Sequence, residues 1–136
     1  MQSLQSTVTL NNGVAMPIFG LGVYNSKEET TFAVSTAIRH GYRLIDTAAF
    51  YENEKEVGEG IKENRSQWFI QGHIGSTWKD NQYFRTRDMK YVRPAFEDLL
   101  KRLQTDYIDL GMIHYVDSEE EWEKIQPVSY THLTLP

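Results

Sequence analysis

Strand-like and helix-like stretches alternate along this chain, and that alternation constrains the fold more than any other feature. Residues 18–24, 42–45, 68–74 and 106–114 are short apolar runs of strand length. Between them lie stretches with apolar side chains at helical spacing. Phe32, Val34, Ala37 and Ile38 follow the first run, and Val57 and Ile61 follow the second. Val92, Phe96, Leu99, Leu100 and Leu103 follow the third. Strands separated by helices form a parallel sheet with right-handed crossovers. No G-x-G-x-x-G follows the first strand and no P-loop is present. The pattern therefore favours part of a (β/α) barrel over a dinucleotide-binding sheet. At 136 residues the chain is shorter than the about 250 typical of a whole eight-fold barrel. The expected fold is α/β: an N-terminal hairpin plus about four β/α units of a TIM (β/α)8 barrel, incomplete.

Local signals set the boundaries. Asn11-Asn12-Gly13 between Thr7–Leu10 and Val14–Met16 predicts the hairpin, closed by Pro17. Ser26…Glu29 and Ser118…Glu121 have the spacing of capping boxes and predict helix starts. The first helix is expected to run to about Arg39 and end at His40-Gly41. His40 is expected to interact with the C-terminal end of its dipole. The second helix is expected over Asn53 to Lys62, with Gly58 and Gly60 each weakening it by roughly 1 kcal/mol. The third should open at Thr86-Arg87-Asp88 and run to about Leu103. Pro94 should either kink it or mark the start of its regular part. The last helix is expected to pass through Trp122 and Ile125. Residues 75–85 show no clear period and are expected to be a loop.

Composition narrows the chemistry. Net charge is -5 with acids and bases interspersed, which argues against nucleic acid or an anionic membrane as partner. Cysteine is absent, which excludes disulfides, thiolate zinc sites and iron–sulfur clusters within this chain. No apolar run is long enough to span a bilayer and no signal peptide is visible. The expected location is the cytoplasm. Glu119-Glu120-Glu121 are expected to be helix first-turn acids, and no metal site is expected.

Parallel α/β sheets build sites at the C-terminal ends of their strands. Asp46 is expected at the tip of the second strand with Tyr51 just beyond, and His73 and His114 at the ends of the third and fourth. A barrel would bring them to one rim. Tyrosine is a poor acid at its ordinary pKa of about 10. A neighbouring cation or hydrogen-bond network can lower that value. A carboxylate can orient such a cation, and an imidazole can hold an oxygen where charge develops. The set suits protonation of a carbonyl oxygen as hydride reaches carbon. Each residue also has a plainer role: Asp46 as a cap, Tyr51 as a loop aromatic, the histidines as core residues satisfied by backbone.

Residues 7 to about 63 resemble the N-terminal part of the aldo-keto reductases. The motifs are Val8-Thr9-Leu10-Asn11-Asn12-Gly13, Met16-Pro17-Ile18-Phe19-Gly20-Leu21-Gly22, Gly41-Tyr42-Arg43-Leu44-Ile45-Asp46-Thr47-Ala48 and Tyr51-Glu52-Asn53-Glu54-Lys55-Glu56-Val57-Gly58. The resemblance implies a barrel enzyme that reduces small aldehydes or ketones with NADPH. It implies catalytic roles for Asp46 and Tyr51, with Tyr51 the proton donor. It places Gly22, Val23, Tyr24 and Asp46 beside the nicotinamide end of the cofactor.

Residues 68 to 125 are similar to a different branch of the family, a bacterial group of iron–sulfur-associated oxidoreductases. Phe69-Ile70-Gln71-Gly72-His73-Ile74-Gly75-Ser76, Arg85-Thr86-Arg87-Asp88 and Gly111-Met112-Ile113-His114-Tyr115-Val116-Asp117 carry that likeness. His114 matches the family's active-site histidine. His73 stands where the family has a lysine, so Tyr51 would lose the cation that makes it acidic; a protonated imidazole would substitute only in part. Lys79, in the following loop, is not given that role. The second branch does not usually carry the Asp and Tyr pair. A seam is therefore expected near residues 64–68, from a recombinant or mis-assembled reading frame or from a natural hybrid. Val128 to Pro136 resembles the one-frame translation of a transposon-type sequencing adapter. Residues 1–126 are thus expected to form a partial barrel and 127–136 an artefactual or disordered tail.

The expected function is that of a fragment of an NADPH-dependent aldo-keto reductase. On its own it is expected to be inactive and unstable or aggregation-prone, because the later strands supply most cofactor contacts and close the sheet. The alternatives are a non-catalytic binding or regulatory protein on the same fold, or another barrel enzyme such as an isomerase or hydrolase. The Asp46…Tyr51 spacing with His114 argues against the last.

Overall fold

The structure is a computed structural model that describes residues 3–85 and 88–124, and of Met89 the backbone alone. The helix opening at Thr86-Arg87, Ile125 of the last helix and the 127–136 tail lie outside the described residues. Strands β1 (Thr7–Thr9) and β2 (Ala15–Pro17) pair antiparallel around the expected turn, where Gly13 adopts φ +84°. The Asn12 side chain accepts from the Val14 amide at 3.1 Å. Val8 and Val14 remain exposed, so this hairpin buries little apolar surface.

The main sheet is parallel. Its four strands are β3 (Leu21–Gly22), β4 (Leu44–Ala48), β5 (Phe69–Ile74) and β8 (Leu110–Ile113), in that spatial order. Helices α1 (Thr30–Arg39), α2 (Glu54–Ile61) and α3 (Met89–Leu103) connect them in turn. This is the topology of consecutive β/α units of a barrel, with four of its eight strands present among the described residues.

Four local expectations are corrected. The first strand is two residues long, not seven. Phe19 and Tyr24 at its flanks are exposed and only Val23 is fully buried. Strand β4 continues to Ala48, so Asp46 lies inside the strand rather than at its tip. Residues 75–85 are not a loop. They contain β6 (Ser76–Lys79) and β7 (Gln82–Arg85), an antiparallel hairpin. Its turn residues Asp80 and Asn81 have φ +50° and +60°, the left-handed pair that a tight hairpin needs and that Asp and Asn tolerate. Ser26 does not cap α1. Its hydroxyl donates to the Val23 carbonyl at 2.7 Å and also pairs with Thr30, and a short 3-10 turn precedes the helix.

The second capping box forms in modified shape. Ser118 accepts from the Glu121 amide at 3.1 Å, while Glu121 reaches back to the Asp117 amide at 2.8 Å. Helix α3 begins before Pro94 and passes through it, capped by Asp88, which accepts from the Lys90 amide.

The core lies between the sheet and the helices. Ile45 and Ile70 project from the sheet into a cluster with Val34, Ile38, Val57, Ile61, Leu99 and Leu103. Each such side chain contributes on the order of 1.5–3 kcal/mol on burial. On α1 the buried face is Thr30, Val34, Ala37 and Ile38, so Phe32, expected to face inward, is 69% exposed. The two glycines of α2 permit close packing. A Cβ at Gly58 would lie 2.7 Å from the Leu103 carbonyl oxygen, and one at Gly60 would lie 2.8 Å from Val34.

Side-chain contacts join the parts of the chain before and after residues 64–68. Buried Glu54 pairs with Arg102. Arg65 donates to Thr105 and to the carbonyls of Trp68 and Tyr107, pairs with Asp109 at 3.3 Å, and lies 3.8 Å over the Tyr107 ring.

Candidate active site

Period-two alternation and strand register assemble the site. In β4, Ile45 faces the helices, so Asp46 faces the opposite side of the sheet. Register sets Asp46 beside Gly22 on β3 and Gln71 on β5, and sets Ala48 beside His73. Gln71 and His73 therefore share the face of Asp46, one directly opposite and one diagonal, both within reach of its carboxylate. His73 also pairs with Met112, and His114 follows two residues later, just past β8. The His114 amide donates to the Ile74 carbonyl at 3.0 Å, which holds the residue against the end of β5.

The Asp46 carboxylate is the hub. Oδ1 accepts from Gln71 Nε2 at 2.6 Å and lies 2.7 Å from His73 Nε2. Oδ2 accepts from the Tyr51 hydroxyl at 3.3 Å. The His73 and His114 rings are 4.4 Å apart, and Tyr51 meets His114 edge-on at 6.2 Å. All four predicted residues, Asp46, Tyr51, His73 and His114, thus stand in one cluster.

The electrostatics are less favourable to acid catalysis than the sequence pattern suggests. Burial alone would raise the Asp46 pKa. The hydrogen bonds from His73 and Gln71, the charge of His73 and the Tyr51 hydroxyl outweigh it and hold the carboxyl below its ordinary value of 3.8. Burial, followed by the adjoining Asp46 charge, pushes the Tyr51 hydroxyl up to about 12. Tyr51 stays protonated throughout the neutral range, yet it parts with its proton reluctantly. Buried Nδ1 of His73 has no hydrogen-bond partner among the described residues.

Of the positions expected near a cofactor, Gly22 and Tyr24 border the cluster. A Cβ at Gly22 would meet nothing within 4 Å, so the space beside Asp46 is open there. The Tyr24 ring is exposed and sits 5.2 Å from Tyr51. The Val23 side chain points into the core at 1% exposure. Its backbone is tied down instead: the carbonyl accepts from Asn53 Nδ2 at 2.7 Å and from Ser26. Lys79 is exposed and pairs with Gln82 beside the hairpin turn.

Three further residues belong to the surroundings of the site. Gln71 was legible in principle, because it precedes His73 by one strand period. Asn53 was not. It is 2% exposed and its amide donates to Val23, Ser26 and Thr30, clasping the loop after β3 to the start of α2. Trp78 donates from Nε1 to the Ala49 carbonyl at 2.8 Å and anchors the β6–β7 hairpin beside Tyr51. Tyr24, Phe50, Tyr51 and Trp78 line a cleft of about 500 Å³ that also includes Lys27, Glu28, Glu52 and Glu56.

Comparison with known proteins gives one family. The model of the aldo/keto reductase family matches residues 15–129. Glyoxal reductase of Bacillus subtilis is 48% identical over 118 residues, covering 83% of this chain and 40% of its own length. Methylglyoxal reductase DkgA of Escherichia coli is 42% identical over 114 residues, covering 81% of this chain and 38% of its own.

Among solved structures, an aldo-keto reductase from a Medee basin deep-sea metagenome library superposes with a TM-score of 0.75 at 35% identity. That superposition covers 90% of this chain and 44% of the other. A Bombyx mori aldo-keto reductase in complex with NADP gives 0.71 at 31% identity, over 93% and 47%. The chain spans about 40% of the length of the curated relatives, and each of these matches extends across residues 64–68. From sequence, fold and solved relatives together, this chain belongs to the aldo/keto reductase family, and its sheet is about half of that family's barrel.

Proposed function

We propose that this chain carries the proton-donor half of an NADPH-dependent carbonyl reductase that acts on small aldehydes or ketones such as glyoxal and methylglyoxal. The observation that supports this most is the Asp46 carboxylate joined to Tyr51 and His73, with His114 against both rings. Tyr51 would give its hydroxyl proton to the carbonyl oxygen. His114 would donate a hydrogen bond to the same oxygen and fix its direction. Asp46 orients Tyr51, and Gln71 and His73 hold Asp46 in turn.

The residues present fit the nicotinamide end of the cofactor, because the bare backbone of Gly22 leaves open space beside the Asp46 carboxylate. Gly22, Asp46 and the Tyr24 ring would hold it there, and the cofactor when bound supplies the hydride.

Two features make the chain a weak catalyst by itself. His73 occupies the place of the expected lysine, and burial, with the Asp46 anion beside it, raises the Tyr51 pKa to about 12. In the full-length relatives, the remaining half of the barrel would supply the other cofactor contacts. The test is NADPH oxidation with methylglyoxal by the purified chain. No turnover above the protein-free rate is expected; clear turnover would overturn the account. A non-catalytic binding role on the same fold is the second reading. The raised Tyr51 pKa favours it, and replacement of His73 by lysine in a completed barrel separates the two.

A further inference from the structure

The β6–β7 hairpin is packed onto the site rather than free in solvent. Trp78 and Tyr83 are directly paired across its two strands, with ring centroids 5.5 Å apart on one face. Trp78 is fastened to the Ala49 carbonyl, and Tyr83 meets Phe50 edge-on at 5.1 Å. Ala49 and Phe50 belong to the turn that carries Tyr51. The Tyr83 hydroxyl then lies 3.4 Å from His114 Nδ1. The hairpin thus bridges the turn bearing the proposed donor and the imidazole proposed to face the substrate oxygen.

We infer that Tyr83 is a positioning residue for His114: its hydroxyl donates to Nδ1 and holds the imidazole in the Nε2–H tautomer. A neutral imidazole has one N–H, and the hydrogen bond on one nitrogen decides which nitrogen bears the proton. A ring that holds a carbonyl oxygen must present a donor. With Nδ1 accepting from Tyr83, the donor is Nε2. The ring plane is set at the same time by His73 at 4.4 Å and by Tyr115, stacked at 4.0 Å.

The inference rests on the proposed role of His114, but its test needs no turnover. Failure of the one can therefore be told from failure of the other. Nitrogen-labelled histidine in the full chain, at a concentration where light scattering shows a single species, gives the His114 tautomer by NMR above its titration range. The parent is expected to show a dominant Nε2–H form. Tyr83→Phe, which keeps the ring and its packing, is expected to lose that preference. Phe50→Leu, which loosens the same packing but keeps the hydroxyl, is expected to retain it. A dominant Nδ1–H form in the parent overturns the inference. So does an unchanged tautomer in Tyr83→Phe, or an equal loss in Phe50→Leu. If Tyr83→Phe lacks a dispersed amide spectrum, the parent tautomer decides alone.

Discussion

The Tyr51 hydroxyl donates directly to Asp46 Oδ2, 3.3 Å away, while Gln71 and His73 occupy the other carboxylate oxygen. Tyr51 therefore faces the anion itself, and no lysine stands at residue 73 to offset it. Burial and this contact place its pKa at about 12. The same arrangement lowers the pKa of Asp46. One carboxylate thus orients the proposed donor and adds to the reluctance to ionise that burial imposes.

Tyr51 ionisation is the first consequence that can be measured. The ultraviolet titration of the parent minus that of Tyr51→Phe isolates this hydroxyl from the other tyrosines. Its midpoint is expected near 12. Asp46→Asn removes the neighbouring charge and is expected to move the midpoint down toward the ordinary value of about 10. A parent midpoint at or below the ordinary value would contradict the geometry.

Acid stability follows from Asp46. Its folded pKa lies below its unfolded value, which is about 3.9. The group therefore contributes stability that is fully present above the unfolded value and is lost as pH falls through the folded one. Urea midpoints measured from neutral pH into acid should fall less steeply for Asp46→Asn than for the parent. Parallel curves would show that the carboxylate contributes nothing to the fold.

The Glu54–Arg102 pair ties α2 to α3. Burial raises the Glu54 pKa and Arg102 offsets part of that rise. Arg102→Ala leaves a buried carboxylate alone and is expected to cost about 3 kcal/mol at neutral pH, the low end of the buried-pair range because Arg102 is partly exposed. A group with a raised folded pKa loses stability as pH rises through that value. The penalty should therefore shrink in acid, where Glu54 takes a proton. Glu54→Gln in the same background should recover part of it at neutral pH. A cost that does not vary with pH would point to lost packing alone.

Gly58 tests whether its glycine serves packing or merely weakens the helix. Alanine would gain about 1 kcal/mol from helix propensity. Its Cβ, however, would stand 2.7 Å from a backbone oxygen of Leu103, an atom that cannot swing aside. A net loss of about 1–3 kcal/mol is expected in denaturant unfolding. A stabilised Gly58→Ala variant would show that α2 and α3 are not in contact there.

These cases show where the sequence was informative. The strands and the three helices were visible because their apolar periodicity reflects burial on one face, as with Val57 and Ile61. Asp46, Tyr51, His73 and His114 were found by motif, and register explains why they meet. The β6–β7 hairpin shows no periodicity in the sequence, and its one local signal is Asp80-Asn81, two residues that tolerate positive φ. Ser26 has the spacing of a cap, but Val23, Thr30 and Asn53 engage its hydroxyl, and Asn53 lies in a distant part of the chain. The cost of glycine in α2 was legible, but its benefit was not, since Leu103 and Val34 reach Gly58 and Gly60 only in the folded state.

On the proposed function, Tyr51 is a proton donor without an activating cation beside it. The most direct test joins the chain to the remaining barrel strands of a family member and measures NADPH-dependent reduction of methylglyoxal with and without His73→Lys. A rate rise of about tenfold or more is expected on the substitution, because a lysine cation beside Tyr51 would lower its pKa toward the operating pH and make it a better general acid. A joined protein that turns over equally fast with His73 in place would contradict it.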